Sequence, residues 1–305
     1  MLNNIVLSVI IRTYNESMYL DEALSSVFSQ NLDPNFDLEV VIVDSGSTDD
    51  TVKIAEAYNA KITTINKKDF TFGRSLNIGC EFSKGEYLIF ISGHCIPANV
   101  DWLKNLVQPI INGECAYSYG RQIGRGSTKY SEHQVFSKYF PLKSSIPSKG
   151  FFCNNANSAI SRSAWEKFKF DESLTGLEDM YLAKNIVESG DFIGYVSTSI
   201  VYHVHNETWG QVKNRYEREA IALQRIMPEV HMSILNMMNF IIVGIWTDLS
   251  HALNSGVFFK EFISILKFRT LQFYGSYSGN HKSKKVSFDS KMKYYYPKVK
   301  KDTYE

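Results

Sequence analysis

The sequence predicts an α/β protein with a mixed, mostly parallel sheet flanked by helices and a helical extension at its C-terminal end. Short apolar runs rich in Val and Ile end in small polar residues, and helical patterns separate them. Crossover helices join neighbouring parallel strands, and ligands bind beyond the carboxyl ends of such strands. We therefore expect the functional side chains directly after the strands.

The first hundred residues alternate strand and helix. The apolar patterns predict strands at 5–12, 38–44, 61–66 and 86–92, with helices at 18–30, 48–58 and 74–83 between them. Ser47 is a natural N-cap for the second of these helices. Asp49 and Asp50 fall in its first turn, where the helix dipole favours negative charge.

The remaining chain becomes steadily more helical. We expect a helix at 102–111, a strand at 116–121, a loop-rich segment at 124–150, a strand at 151–161, helices at 163–168 and 177–189, a strand at 192–203, and helices at 211–227, 234–249 and 257–274. A composition shift near 210–230 divides the chain. This predicts one α/β domain, residues 1–214, and a helical region, residues 215–305, that ends in a lysine-rich tail.

Composition narrows the class of protein. The 305 residues carry a net charge of +1, so no global basic field favours a nucleic-acid partner. The four cysteines lack CxxC spacing and no secretion signal precedes them, which favours free thiols and a cytoplasmic location. The apolar stretch Ile234–Leu249 is shorter than the about 20 residues of a spanning helix, so we expect a buried or interfacial helix.

Six segments, in order, carry a family resemblance. They are VIIRTYNE, VVIVDSGSTDDT, FGRSLNIGCEFSKGEYLIFIS, SGHCIP, FFCNNANSAISRSAW and GLEDMYLAKNIVESG, and they cover roughly residues 5–205. The chain resembles the inverting family-two glycosyltransferases, which implies the Rossmann-like glycosyltransferase A fold. It also implies transfer of a sugar from a UDP- or dTDP-type donor to a saccharide. FTFGRSLNIG followed by YHVHN is most similar to the bacterial branch that builds O-antigen, capsule or exopolysaccharide, where rhamnosyltransferases are common and the acceptor is lipid-linked.

The resemblance assigns donor-binding roles to residues at the strand ends. The expected nucleotide-sugar ligands are Thr13, Tyr14, Asn15, Glu16, Asp44, Ser45, Arg74, Asn77, Ser92 and Gly93. Asp44 would accept a hydrogen bond from the base, or else cap the following helix. Arg74 would hold the diphosphate, or else pair with Asp69 or Glu81 on the surface. Glu16 fits either the donor site or a helix cap.

The turn Ser92-Gly93-His94 departs from the family pattern. Family members have an Asp-x-Asp motif here, whose last carboxylate binds Mg²⁺ or Mn²⁺. His94 can replace that ligand, and one of His203 and His205, preferably His205, would complete the site. The alternative is metal-free catalysis, with His94 or Arg74 holding the leaving diphosphate.

Asp179 in GLED matches the family's catalytic base. An inverting transfer needs one carboxylate to take the proton from the acceptor hydroxyl, without a covalent enzyme intermediate. The alternative is ordinary acidity at a helix start. Glu178 is an acceptor contact or a structural partner, Asn155 and its neighbours face sugar hydroxyls or form a turn, and Trp209 stacks on an acceptor sugar or packs in the core.

Two further readings remain open at this stage. The C-terminal helices and basic tail suit an anionic membrane surface, on the inner face of the cell membrane, or else form a helical cap with a solvated tail. The missing Asp-x-Asp also suits a non-catalytic scaffold that holds a nucleotide or glycan. A nucleotidyltransferase is disfavoured because RTYNES has no glycine and only one basic residue.

Overall fold

The computed structural model describes residues 4–282, 290 and 294–296. The strands within these residues are β1 Ile5–Thr13, β2 Phe36–Asp44, β3 Lys61–Thr64, β4 Tyr87–Ser92, β5 Cys95–Pro97, β6 Tyr117–Ile123, β7 Asn157–Ser161 and β8 Ile193–His203. The helices are α1 Ser17–Phe28, α2 Thr51–Ala57, α3 Phe72–Phe82, α4 Trp102–Ile111, α5 Tyr130–Tyr139, α6 Arg162–Phe168, α7 Glu178–Glu188, α8 Trp209–Ile226, α9 Ile234–Asn254 and α10 Phe258–Asn280.

One mixed sheet organises the fold, in the strand order β3-β2-β1-β4-β7-β6-β8-β5. The pairs β1–β2, β1–β4, β2–β3 and β6–β8 are parallel, while β4–β7, β6–β7 and β5–β8 are antiparallel. Helices flank this sheet. The predicted α/β class, with its mostly parallel first half and C-terminal helices, is confirmed.

The core lies on both faces of the sheet because side chains alternate along each strand. In β1, Leu7, Val9 and Ile11 join one buried cluster, while Ile10 joins the other. All four are fully buried, as expected for a central strand covered on both sides.

The register brings three strand ends to one edge. Thr13 pairs with Asp44, and Arg12 pairs with Ser92. The residues that follow β1, β2 and β4 therefore begin at the same level of the sheet, as the sequence predicts.

Three local elements differ from the sequence expectation. The segment 151–156 is not a strand and ends in a turn. The side-chain oxygen of Asn154 accepts a hydrogen bond from the Ala156 N–H, and the backbone carbonyl of Asn154 accepts one from the Asn157 N–H. The expected loop 124–150 contains α5, and Phe136 in this helix and Phe140 directly after it reach the core. A short strand that the sequence analysis did not expect, β5, follows β4 and ends at Pro97.

The chain divides into two compact units. Unit 1 comprises residues 1–128, 135–174 and 178–205, and unit 2 comprises 129–134, 175–177 and 206–305. The main division falls shortly before the expected one at 214/215 because the whole of α8 packs on α10. Gly275 and Gly279 permit this packing, since a Cβ at either position would lie 2.5 Å or less from a backbone oxygen of α8.

In unit 2, α9 and α10 also pack together. Among the described residues, no helix has both the length and the apolar character needed to cross a membrane. Of the lysine-rich tail, only Lys282 belongs to the described residues, where it forms an ion pair with the buried Glu217. The other lysines of that tail lie outside them.

Candidate active site

The ends of β1 and β2 are joined by hydrogen bonds of the Asp44 carboxylate. Oδ1 accepts from the hydroxyls of Thr13, at 3.0 Å, and Ser47, at 2.5 Å. Oδ2 accepts from the backbone N–H groups of Gly46 and Ser47, both at 2.9 Å. Asp44 is 2% exposed, so its four acceptor positions are filled by its own loop.

These contacts occupy the polar groups of three expected donor-binding residues, whose nucleotide roles stay predictions, and they correct the expected helix cap at Ser47. Asp44 and Ser45 do not present free polar groups to a nucleotide: Asp44 organises the loop, and Ser45 is buried with its hydroxyl on the carbonyl of Thr13. The Thr13 hydroxyl is likewise directed to Asp44. Ser47 is not the N-cap of α2. That helix begins at Thr51, and the side chain of Asp49 accepts a hydrogen bond from the Thr51 N–H.

Tyr14 and Asn15 line the other side of this loop. Asn15 has a left-handed backbone with φ of 55°, and its side-chain oxygen accepts from the Thr48 N–H at 2.8 Å. The phenol of Tyr14 accepts from Lys67 at 3.0 Å, and the same ammonium lies 4.4 Å from the Tyr14 ring centroid. The sequence analysis did not identify Lys67, because nothing in its loop sequence indicates this contact.

Arg74 and Asn77 have different roles in α3. Arg74 is exposed in the first turn of the helix, and its donor-binding role stays a prediction. Asn77 is buried, and its amide donates to Phe170 and Glu172 and accepts from Trp165 and the Phe170 N–H. Asn77 therefore holds α3 against the segment after α6, and its expected nucleotide role stays a prediction.

Three histidines converge after β4 and β8. The strand pair β5–β8 places Cys95 opposite His203, which brings His94 beside β8. The Nε2 atoms of His94 and His203 lie 3.3 Å apart, and the ring centroids of His203 and His205 lie 4.0 Å apart. One ring nitrogen from each of the three histidines lies within 4.8 Å of the others.

Two side chains orient this three-histidine cluster. Glu16 contacts Nδ1 of His94 at 2.8 Å, and Gln122 contacts Nδ1 of His203 at 2.7 Å, which turns both Nε2 atoms toward each other. Gly93 is required here because a Cβ would lie 2.8 Å from Cγ of Glu16. Glu16 makes no side-chain helix cap; it positions His94, and its expected contact with the nucleotide stays a prediction.

The donor set fits a borderline divalent cation. Imidazole nitrogens suit Co²⁺ and Zn²⁺ and are acceptable to Mn²⁺, whereas the hard Mg²⁺ prefers oxygen ligands. A hydrogen bond on the second nitrogen of a ligating histidine is the usual support for such a site. The three histidines therefore favour Mn²⁺ over Mg²⁺ among the two ions that the sequence analysis allowed.

Asp179 lies in the first turn of α7 and is 7% exposed. Its Oδ2 accepts from the Asn155 N–H and its Oδ1 from the Met180 N–H, both at 2.8 Å. Burial, followed by the charge of Glu178, raises the pKa of Asp179 to about 7, although both backbone hydrogen bonds and Arg12 oppose the shift. A carboxyl group with this pKa can take up a proton near neutral pH.

Arg12 connects the start of α7 to the strand ends. Its Nη1 donates to Oε1 of the buried Glu178 at 3.3 Å, and its guanidinium lies 4.7 Å from the Phe72 ring centroid. The carboxylates at the start of α7 therefore lie beside β1, one residue from Thr13. Sequence reasoning missed Arg12, although an arginine near the end of a buried apolar strand was a usable signal.

The expected acceptor residues separate into two groups. Asn155 is 2% exposed and binds Asp179 through its backbone, while its side-chain oxygen accepts from Tyr117 and Ser158. Glu178 is the structural partner of Arg12. Trp209 is half-buried in unit 2, where Lys129 and Lys267 lie over its ring, and its acceptor role stays a prediction.

The fold defines a class. A mixed α/β sheet with loops after parallel strands and with flanking helices is the glycosyltransferase A fold. Residues 8–168 match the family described as Glycosyl transferase family 2, and the chain belongs to this family.

Two curated relatives are similar over much of their length. The chain is 28% identical to the O-antigen chain rhamnosyltransferase RfbN of Salmonella typhimurium over 226 residues, 69% of this chain and 70% of that protein. It is 26% identical to the O-antigen chain rhamnosyltransferase WbaN of Salmonella anatum over 190 residues, 58% of this chain and 60% of that protein.

Solved structures share the fold at low sequence identity. The mannosyltransferase PcManGT from Pyrobaculum calidifontis, in complex with GDP-Man and Mn²⁺, superposes with a TM-score of 0.62 at 17% identity, covering 90% of this chain and 86% of that one. Staphylococcus aureus TarS in complex with UDP superposes at 0.52 with 17% identity, covering 88% of each chain.

Proposed function

We propose that this protein is an inverting glycosyltransferase that extends a lipid-linked precursor of a bacterial surface polysaccharide. Membership of family 2 supports sugar transfer, and the two O-antigen rhamnosyltransferase relatives support a deoxyhexose from a dTDP- or UDP-linked donor. The observation that carries the proposal is Asp179, a buried carboxyl group beside the strand ends with its pKa near 7.

The reaction we assign to Asp179 is general-base catalysis. The ionised carboxylate accepts the proton of an acceptor hydroxyl while the hydroxyl oxygen forms a bond to the anomeric carbon of the donor sugar. The bond from that carbon to the diphosphate breaks in the same displacement, so the configuration inverts and no covalent enzyme intermediate forms.

Neighbouring residues fix the orientation and the charge environment of this carboxylate. The backbone N–H groups of Asn155 and Met180 fix both carboxylate oxygens, and Arg12 neutralises Glu178 next to it. Among the described residues, the side-chain nitrogen of Asn155 is a buried donor without a hydrogen-bond partner. We assign that donor to a sugar oxygen, because a buried amide N–H is costly to leave unbonded.

The donor nucleotide would lie beyond β1, β2 and β4, in contact with Tyr14 and Arg74 and with the Ser92-Gly93 turn. Because the Asp44 carboxylate is engaged within its loop, the base would be recognised through Tyr14 and backbone groups rather than through Asp44. The exposed guanidinium of Arg74 can hold diphosphate oxygens in a bidentate manner. Trp209 is assigned to the acceptor.

We assign His94, His203 and His205 to a divalent metal, with Glu16 and Gln122 as their positioning residues. When bound, such a cation would neutralise charge on the diphosphate. The three histidines would hold the cation, and the two positioning residues keep the Nε2 atoms of His94 and His203 directed toward each other.

The three-histidine cluster predicts direct binding of transition metals. We expect Co²⁺ to give the visible absorption of a nitrogen-ligated ion, and the His203→Ala variant to bind Co²⁺ more weakly by about tenfold or more. His231→Ala, an exposed histidine outside the cluster, is the matched control. Equal Co²⁺ affinity in both variants, or displacement of Co²⁺ by equimolar Mg²⁺, would contradict this assignment.

The raised pKa of Asp179 predicts a pH profile for the reaction. The acid form cannot accept a proton, so kcat should rise tenfold per pH unit below about 7 and level off above it. Cys153 and Tyr117 also face Asp179, but burial raises both of their pKa values, so they stay neutral in this range. The measurement is initial rates at saturating donor between about pH 5.5 and 9.

Donor hydrolysis tests the proposed function itself. With dTDP-rhamnose or UDP-hexoses and no acceptor, we expect slow release of nucleoside diphosphate, with the freed sugar first detected by NMR in the inverted configuration. Retained configuration would refute the inverting mechanism. Nucleotide binding without turnover of any tested donor, in the presence of Mn²⁺ and a saccharide acceptor extract, would favour a binding scaffold.

A further inference from the structure

The outer side of α9 carries large apolar side chains from end to end, interrupted by the exposed Asn239. Leu235 and Trp246 are each 73% exposed, and Met238, Ile242 and Leu253 are 51%, 62% and 66% exposed. Their spacing of three, four, four and seven residues places these five side chains on one side of the helix. We call this set the α9 apolar face.

The inner side of α9 is fixed to α10. Asp248, the only Asp, Glu, Lys or Arg of the helix, is fully buried and accepts two hydrogen bonds of 2.7 Å from Arg269. Gly244 allows the close approach, because a Cβ there would lie 3.1 Å from the Phe273 ring. The orientation of α9 is therefore set by a bidentate ion pair, and the apolar face points away from its partner helix.

The start of α10 extends the apolar surface. Phe259 is 94% exposed and Ile263, one turn later, is 57% exposed. Both follow the short turn after α9. Exposed apolar side chains occur in unit 1 as well, but there they are scattered over separate elements, such as Val100, Leu142 and Phe192. A continuous surface of this kind marks an interaction site.

The charge of the C-terminal region indicates which kind of surface would cover the α9 apolar face. Of the four Lys or Arg residues in 234–282, Arg269 pairs with the buried Asp248 and Lys282 pairs with Glu217. Lys260, beside Phe259, has a side chain that is 81% exposed, and with Lys267 and the acid Glu261 it leaves a net charge of +1 on this part of the surface. The sequence after Lys282 adds seven lysines and three acids. An apolar face on a C-terminal region of net positive charge complements an anionic lipid surface, whereas a second copy would bring like charges together.

We propose that the α9 apolar face and the start of α10 insert into the interface of an anionic lipid bilayer, with α9 parallel to the membrane plane. Leu235, Ile242, Trp246 and Phe259 then enter the boundary between headgroups and acyl chains, and lysines contact the headgroups. This inference concerns unit 2 alone and does not depend on sugar transfer.

The test is co-sedimentation of the full chain with vesicles of phosphatidylcholine, with or without phosphatidylglycerol. We expect binding to the mixed vesicles. The triple variant Leu235→Gln/Ile242→Gln/Trp246→Gln should bind about tenfold or more weakly, since each substitution removes a large apolar group that insertion into the bilayer would bury. The control Val100→Gln/Leu142→Gln/Phe192→Gln changes three exposed apolar residues of unit 1 and should bind as the original chain does.

Trp246 gives a second readout, because its fluorescence should shift to shorter wavelength on vesicle binding and the shift should disappear in Trp246→Gln. Three results would overturn the proposal. One is no binding to mixed vesicles. Another is binding that the triple variant retains, which would assign it to the lysine tail alone. The third is a dimer in solution that the triple variant dissociates, which would identify a second copy as the occupant.

Discussion

Asp179→Asn should lower kcat by about 10³-fold, because a general base contributes on the order of 10²- to 10⁴-fold to such a reaction. The asparagine has the same shape but no basic oxygen pair, so it cannot take the acceptor proton. Donor affinity should change little, since the nucleotide contacts proposed here lie on β1, α3 and the β4 turn. The measurement is steady-state transfer together with calorimetric titration of the nucleoside diphosphate.

The substitution also disturbs two hydrogen bonds, and their effect on folding must be distinguished from the loss of the proposed catalytic base. Asp179 accepts from the N–H groups of Asn155 and Met180, and an amide can accept only through its oxygen. We therefore expect a small loss of stability, visible in a thermal melt, without loss of nucleotide binding. The pH profile of the remaining activity should lack the inflection near pH 7 that we expect for the original chain.

Asp191→Asn is the matched control, because Asp191 is exposed and caps its own loop through the Phe192 N–H. It should transfer sugar at the original rate. If Asp179→Asn stays within about fivefold of the original kcat, a loss far below that expected for a general base, another group takes the proton.

Asn157→Ala should lower the free energy of unfolding by about 3 kcal/mol or more, since a lost buried hydrogen bond costs about 1 kcal/mol and an unsatisfied partner more. Asn157 is fully buried. Its side-chain oxygen accepts from Trp102 Nε1 at 2.8 Å, and its nitrogen donates to the carbonyls of Arg121 and Ser199. Alanine removes all three bonds and leaves the Trp102 N–H in an apolar interior.

The packing around Asn157 leaves little space for another group to replace its hydrogen bonds. A Cβ at Gly120 would lie 2.3 Å from Nδ2 of Asn157, so the backbone of β6 is already in contact with the amide. Urea unfolding followed by circular dichroism measures the loss. Asn112→Ala, an exposed asparagine at the end of α4, is the control and should change stability by less than about 0.5 kcal/mol. A cost below about 1 kcal/mol for Asn157→Ala would show that Asn157 is not a structural centre of the sheet.

The three asparagines of FFCNNANS show how far residue types can be interpreted. As amides next to one another they look equally suited to sugar hydroxyls. In the fold, Asn154 forms the turn before β7 and bonds to Gln122, Asn155 holds the base through its backbone, and Asn157 ties β6, β8 and α4 together. Of the three, Asn155 alone has a side-chain nitrogen that is buried without a hydrogen-bond partner among the described residues.

The helix α5 was missed for a related reason. Ser131 and Glu132 are polar residues buried within its first turn, so the apolar period on which a sequence prediction depends is interrupted. Glu132 is buried because Arg215 pairs with it from a position far along the chain.

The order and direction of the first strands were determined by the sequence itself, since alternating burial and crossover helices are local properties of the chain. The family, the carboxylate in GLED and the histidines of the SGH and YHVHN segments also follow from local patterns. The tertiary structure decided which polar side chains remain available for ligands. Asp44 and Asn77 are saturated by neighbours, Arg12 is turned to Glu178, and His203 joins His94, because hydrogen-bond partners and strand pairing come from residues distant in sequence.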